Sequence, residues 1–312
     1  MGFDSRKGRG KRIFEEIPRF EFGHRIPKTI HQIFFSDKPI PPLLRQNIDR
    51  IKGFHDGWKH ALYDHGDIVE FIRSAYGPEV LRYYEKINEK YGAARADLFR
   101  YLLMYKCGGV YLDIKASVES SLDDYLLPDD EYLLCRWRNK SGEEFERWGV
   151  HSRLRKAGGS EFQQWHIIAA PGHPFLRAVI EKVLHNIDNY NPVLHQTGRA
   201  GVLGVTGPIA YTLAIAPLLK EHKHRLVDDH RSLGLEYNII LSKTGLSHTN
   251  IFKHHYSDLT EPVTNLDGWS TKWWTLFRPF HVHIVRRSER LRGAIANRMR
   301  RWRLRIFRYH PS

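Results

Sequence analysis

An α/β sandwich with a ligand crevice at one end of its strands is the fold class this sequence predicts. Three features lead to it. Short β-rich runs alternate with helical stretches along most of the 312 residues, the order that gives a sheet covered by helices. One helix is apolar nearly all round and is followed by Gly108-Gly109, a short apolar run and Asp113. The chain then closes on a basic amphipathic segment unlike anything before it.

Thr29-Ile30-His31-Gln32-Ile33-Phe34-Phe35 reads as the first buried strand. Pro39, Pro41 and Pro42 punctuate the loop behind it, and Leu44, Ile48 and Ile51 share one face of a helix over 43–54. A short strand is expected at 58–63, and two helices at 67–75 and 78–89 around Gly77-Pro78. Leu98, Phe99, Tyr101, Leu102, Leu103 and Met104 surround a helix over 93–106, the mark of a buried one. Gly108 suits the left-handed position that ends such a helix. Val110-Tyr111-Leu112 then reads as a buried strand with Asp113 at its C-terminal end, where the crevice of an open α/β sheet lies. Further strands are expected at 131–137 and 165–169, and helices at 174–189 and 208–220.

The uncharged stretch 200–219 is as long as a membrane span. Its three glycines and two prolines favour a buried loop entering a buried helix, with Pro208 in the first turn.

Net charge is +14, and nearly all of it lies at the two ends. Residues 1–12 hold five basic side chains against Asp4, and 286–312 hold ten arginines against Glu289. The near-neutral middle argues against a nucleic-acid binder, which would carry its basic face on the folded domain. In the last segment Leu291, Ile295, Met299, Trp302 and Ile306 recur at steps of four and three, the pattern of a helix lying in a membrane interface. Arginines alone would also serve phosphate contacts of a nucleic acid. The apolar stripe favours an anionic membrane surface, contacted through 286–308. Two cysteines without metal or disulfide spacing, and no apolar stretch after the charged start, point to a reducing, cytoplasmic compartment. The expected organisation is a basic arm over 1–21, a main domain over 22–280 and a membrane-surface helix over 281–312.

Chemistry is concentrated in the buried helix. Arg95, Asp97 and Arg100 are charges in an apolar setting, costly unless paired or turned to a polar ligand. An internal Asp97–Arg100 pair and a ligand-facing role both fit the spacing.

The run Tyr91-Gly-Ala-Ala-Arg-Ala-Asp-Leu-Phe-Arg-Tyr-Leu-Leu-Met-Tyr-Lys-Cys-Gly-Gly-Val-Tyr-Leu-Asp113 resembles the DXD-containing sugar-binding region of glycosyltransferase family 32. That family includes α-1,6-mannosyltransferases, inositol-phosphoceramide mannosyltransferases and bacterial polysaccharide-synthesis enzymes. Ile26-Pro-Lys-Thr-Ile-His-Gln-Ile33, Gly172-His173-Pro174, Thr206-Gly207-Pro208 and His254-His255 extend the resemblance in the same order. It implies a GT-A fold and retaining transfer of a hexose, mannose or galactose in type, from a nucleotide-sugar to a glycan or lipid-linked acceptor. It implies donor contacts from His31, Gln32, Arg95, Asp97, Arg100 and Lys115, guanidinium groups being strong partners for diphosphate oxygens. It also implies a divalent cation, Mn²⁺ or Mg²⁺, held by Asp113 with His254 and His255.

The sequence departs from the motif at Lys115, which stands where the second aspartate belongs. Cations of this kind prefer carboxylate and phosphate oxygens, so Asp113 either holds the ion without that partner or the Lys115 ammonium partly takes its place. A strand running on past Leu112 would put Lys115 on the same side as Asp113. Glu161, Gln163 and Gln164 precede a strand; beside Asp113, Glu161 as nucleophile and Gln164 as a steadying amide complete the expected catalytic set. Two other readings remain: a toxin-like protein glycosyltransferase, and a non-catalytic phosphate or nucleic-acid binder with a decayed DXD site.

Overall fold

The computed structural model describes residues 17–35, 39–240, 256–268 and 271–278. By contacts the chain forms two compact units, 1–264 and 265–312. The first contains an α/β sheet structure, as expected; in the second, residues 271–278 are helical. The basic helix expected at 281–312, the arm over 1–16 and the His254-His255 pair lie outside the described residues.

Eight strands are present: β1 (Thr29–Ile33), β2 (Lys59–Tyr63), β3 (Gly109–Leu112), β4 (Ser117–Val118), β5 (Tyr132–Cys135), β6 (His166–Ala169), β7 (Arg225–Val227) and β8 (Leu235–Glu236). Six form the main sheet in the order β2-β1-β3-β6-β5-β7, and β4 pairs with β8. β1 runs parallel to both β2 and β3, whereas β6 is antiparallel to β3 and β5. β7 is parallel to β5. From β1 the chain moves outward to β2 and then returns to the other side of β1 as β3. That reversal makes the C-terminal ends of β1 and β3 a topological switch point, where open α/β sheets bind ligands.

The four inner strands β1, β3, β6 and β5 are buried on both faces, and β3 and β5 read as apolar runs rather than alternating ones. Tyr111, Tyr132, Leu134, Ile167 and Ala169 pack into the larger cluster, while Val110, Leu112, Leu133, Cys135 and Ile168 pack into the one opposite. The larger cluster is closed by helices that include α2 (His65–Lys86), α3 (Gly92–Cys107), α4 (Pro174–Asp188) and α7 (Pro208–Ile215). On the opposite face α1 (Pro42–Phe54) contributes Ile51. A short α5 (Pro192–His195) and α6 (Gly198–Val205) lie between α4 and α7, and α6 adds Val202 and Val205 to the larger cluster.

The two helices expected around Gly77-Pro78 form α2 with a kink, since Gly77 sits at φ 80°. The stretch 200–219 differs from expectation in its first half. It is helical as α6, breaks at Thr206-Gly207, and resumes as α7 with Pro208 in its first turn. The segment 198–218 is apolar and long enough to cross a membrane, and 67% of its most apolar window is buried inside the protein. Small residues make this burial possible. A Cβ on Gly201 would lie 2.7 Å from the Gln196 carbonyl oxygen.

α3 is buried along nearly its whole length, which accounts for its lack of an apolar stripe. Gly108 ends it at φ 62° and ψ −160°, outside the left-handed helical region expected for it. Its N–H closes on the Met104 carbonyl, and the extended ψ sends the chain straight into β3. Gly109 follows at φ 96°, and a Cβ there would sit 2.6 Å from the Thr29 carbonyl oxygen. The double glycine therefore provides a reversal and a close approach of β3 to β1 that no side chain could accompany.

Candidate active site

β3 stops at Leu112, and Asp113 begins a turn closed by the Ala116 N–H on the Asp113 carbonyl at 2.8 Å. The strand ends where expected, so the condition for alternation to carry Lys115 to the side of Asp113 is not met, and turn geometry places that side chain. The turn is pinned from several directions. Ile114 is buried with Phe34, Leu44, Ile239 and Ile240. Asn47 Nδ2 of α1 donates to the Ala116 carbonyl at 2.8 Å, and the Ile239 N–H donates to the Lys115 carbonyl at 3.0 Å. The Asp113 N–H donates to the Trp165 carbonyl at 2.8 Å, which joins the turn to the loop before β6.

Arg100 organises the charges around this turn. Its guanidinium lies 3.1 Å from Asp97 Oδ1 and 3.1 Å from Asp113 Oδ1, and it donates to the Gln164 carbonyl at 2.8 Å. It also sits 4.7 Å from the centre of the Tyr111 ring. The Tyr111 hydroxyl in turn donates to Asp113 Oδ1 at 2.9 Å. Arg100 and Asp97 are almost sealed, at 6% and 4% side-chain exposure, whereas Asp113 keeps 27%. Of these three charged groups, Asp113 is the one that meets the crevice.

Asp97 accepts from Gln164 Nε2 at 3.1 Å and from the Thr206 hydroxyl at 2.8 Å. Tyr101 donates to Gln164 Oε1 and to the Thr206 carbonyl. Burial pushes the Asp97 carboxyl above its usual range, and Arg100, Gln164 and Thr206 draw it back. Burial opposes the charge on Arg100, but its aromatic and carboxylate neighbours overcome this and hold the guanidinium firmly protonated.

Lys115 is half-buried. Burial pulls its ammonium below the ordinary lysine range, Asp113 raises it, and Arg100 lowers it further. Both neighbours therefore act on Lys115 electrostatically, in a cluster of two carboxylates and two cations.

The remaining expected residues fall in three places. Gln32, at the C-terminal end of β1, donates to the Asp113 carbonyl at 3.5 Å and accepts from His60 Nε2 at 2.9 Å. It bridges the two strands of the switch point. His31 is 3% exposed and hydrogen-bonds the Tyr63 hydroxyl through Nδ1 at 3.0 Å. Arg95 donates through Nε and Nη2 to the Ile87 carbonyl and lies over the Tyr84 ring. Glu161 belongs to a separate group. Its carboxylate accepts from Trp137 Nε1 and from His151 Nε2, each at 2.9 Å. Gln164 connects the two regions: its side chain belongs to the Asp97 group and its segment runs on from Glu161.

Four contributors are absent from the sequence-based set: Tyr111, Thr206, Tyr101 and His151. Alternation along β3 could have found Tyr111, two residues before Asp113. Thr206 lies in a tripeptide already matched, but nothing in its spacing ties it to Asp97. Tyr101 and His151 carry no signal in one dimension.

Among the described residues no group of three His, Cys, Asp or Glu side chains could hold a metal ion. The motif position supplies one carboxylate, already engaged by Arg100 and Tyr111, and an ammonium where a second carboxylate would sit. The described donor set does not fit a divalent cation, and the two histidines expected to help lie outside it.

Asp113, flanked by the basic groups of Arg100 and Lys115, thus lies at the switch point of a mixed sheet. The comparisons point to a class: part of this chain is similar to glycosyltransferases. Residues 41–133 match the family described as glycosyltransferase sugar-binding region containing DXD motif, a type that generally uses a divalent cation.

A glycosyltransferase from Acanthamoeba polyphaga mimivirus is 33% identical over 102 residues, covering 32% of this chain and 40% of its own. The mannosyl phosphorylinositol ceramide synthase of Saccharomyces cerevisiae is 27% identical over 184 residues, covering 59% and 40%. An initiation-specific α-1,6-mannosyltransferase of Schizosaccharomyces pombe is 28% identical over 180 residues, covering 53% and 42%. The match thus spans about two fifths of each of these relatives. Among solved structures, the PaToxG glycosyltransferase superposes with a TM-score of 0.46 at 15% identity, over 88% of this chain and 94% of its own. The UDP-bound glycosyltransferase domain from the YGT toxin gives 0.41 at 10%, over 72% and 83%. Neither likeness is close enough to bear on function.

Proposed function

We propose that the protein is a GT-A type transferase that moves a hexose, mannose or galactose in type, from a nucleotide-sugar to a glycan or lipid-linked acceptor with retention of configuration. The observation that carries this reading is the Asp113 turn: a partly exposed carboxylate held by Arg100 and Tyr111 at the switch point, with Lys115 two residues on. The mannosyltransferase names among the relatives support mannose as the sugar, and the inositol phosphoceramide names support a lipid-linked acceptor.

As the glycosidic bond breaks, negative charge gathers on the departing nucleoside diphosphate, and preorganised positive groups stabilise it. Arg100 and Lys115 supply that charge beside Asp113, in a turn tied down by Asn47 and Ile239 and so in need of little rearrangement. Asp113 orients the donor's sugar and phosphate groups. Glu161, held by Trp137 and His151 in its separate group, is the carboxylate this reading assigns to support positive charge on the sugar's anomeric carbon.

A panel of UDP- and GDP-sugars assayed for released nucleoside diphosphate tests the reading. Turnover of one donor, falling about a hundredfold or more in Asp113→Asn, is expected. No turnover of any donor, with no donor binding by calorimetry, would overturn it in favour of a non-catalytic phosphate binder.

The reading places the enzyme at an anionic membrane surface. Support comes from the second unit, whose helical residues 271–278 expose Trp273, Leu276 and Phe277 beside Lys272 and Arg278, ahead of the arginine-rich 286–308.

A further inference from the structure

We infer that this protein engages the nucleoside diphosphate without a divalent cation, Lys115 providing the positive charge that an ion would otherwise bring. The inference rests on the nucleotide-sugar reading above and concerns how that same site handles phosphate.

The first ground is the donor set. Asp113 is the one carboxylate that the motif retains, and its Oδ1 is bonded by the Arg100 guanidinium and the Tyr111 hydroxyl. Asp97, the nearest other carboxylate, is sealed among Arg100, Gln164 and Thr206 and is 4% exposed. A divalent cation in oxygen coordination needs several accessible oxygens, and among the described residues no group of three ligating side chains could supply them.

The second ground is charge. Asp97 and Asp113 both pair with Arg100, and Lys115 is acted on by Asp113 and Arg100. Two carboxylates and two cations leave this cluster formally neutral. With aspartate at 115 it would carry two negative charges, which a dication would neutralise. The lysine therefore shifts the cluster by two units, the charge of the ion itself. A divalent ion added to this cluster would be repelled by the Lys115 ammonium as well as by the Arg100 guanidinium.

The third ground is position. Lys115 is half-buried in a turn whose backbone is fixed through the Ala116 and Lys115 carbonyls, so its ammonium is delivered from a rigid base. An ammonium on such a base is an established kind of phosphate ligand, as a point charge rather than a fork.

Calorimetric titration of the full chain with UDP and with GDP, in EDTA and in Mn²⁺, tests this. Whichever nucleotide binds should do so in EDTA with an affinity within about twofold of that in Mn²⁺. Lys115→Met should weaken it about tenfold or more in both conditions, and Lys115→Asp should make binding depend on Mn²⁺. Titration with Mn²⁺ alone, read by electron paramagnetic resonance, should show no bound ion in the wild type. Binding that needs Mn²⁺ in the wild type, or a folded Lys115→Met protein that binds as the wild type does, would overturn the inference and leave the nucleotide-sugar reading standing. Binding of neither nucleotide in either condition would remove both. Should Lys115→Met fail to fold, the wild-type comparison of EDTA with Mn²⁺ decides alone.

Discussion

Arg100 joins two carboxylates, Asp97 and Asp113, that belong to different elements, and the consequences for each are opposite. Asp97 is locked inside by Arg100, Gln164 and Thr206, whereas Asp113 shares the same guanidinium and still reaches the crevice. The pair at Asp97 thus acts as the foundation that aims Arg100 at Asp113. Removing one partner of a buried ion pair leaves the other charge uncompensated and costs about 3–5 kcal/mol. Asp97→Ala should lose stability on that scale in urea unfolding monitored by circular dichroism. A loss below about 1 kcal/mol would show that Asp97 does not hold this network together.

At the scale of elements, the helical stretch 271–278 illustrates what a short segment can contribute. Trp273 and Phe277 stack with ring centroids 5.6 Å apart, and Trp273, Leu276 and Phe277 are largely exposed. Aromatic and basic residues side by side are suited to a lipid interface, where apolar burial and attraction to anionic headgroups add. The full chain should therefore sediment with vesicles containing phosphatidylglycerol and much less with pure phosphatidylcholine. The double change Trp273→Ala and Phe277→Ala should weaken that binding by about tenfold or more. Equal binding to both vesicle types, or none to either, would contradict the membrane reading.

For the whole molecule, the buried histidines set the acid limit. Burial lowers His31 to about 4 and His166 and His173 to about 3. Each must stay neutral to remain folded, while in the unfolded chain each takes up a proton near pH 6.5. Their stabilising contribution is fully present above about pH 6.5 and is lost as pH falls toward 4, at up to about 1.4 kcal/mol per pH unit for each. Asp97, whose carboxyl is raised by burial, acts in the opposite sense. Thermal unfolding midpoints should drop steadily from pH 7 to pH 5; a flat profile would mean that these histidines gain protons without disturbing the fold.

Local chemistry was enough to determine much of this protein. The apolar circumference of α3, the Gly108-Gly109 break, the strand that follows and the placement of Asp113 at its end are all short-range properties, each readable because side-chain pattern and backbone preference act over a few residues. Lys115 in the motif's second position is likewise visible without any structure. The sequence also left open whether Asp97 pairs internally or faces a ligand. Tertiary structure decided that, because the deciding partners, Gln164 and Thr206, come from segments far along the chain. It decided the path after β3 as well: Ile114 packs against residues from α1 and from beyond β8, in the turn that carries Lys115. Pairwise spacing along one chain carries no information about such meetings. The charge balance of the site is set by which segments burial brings together.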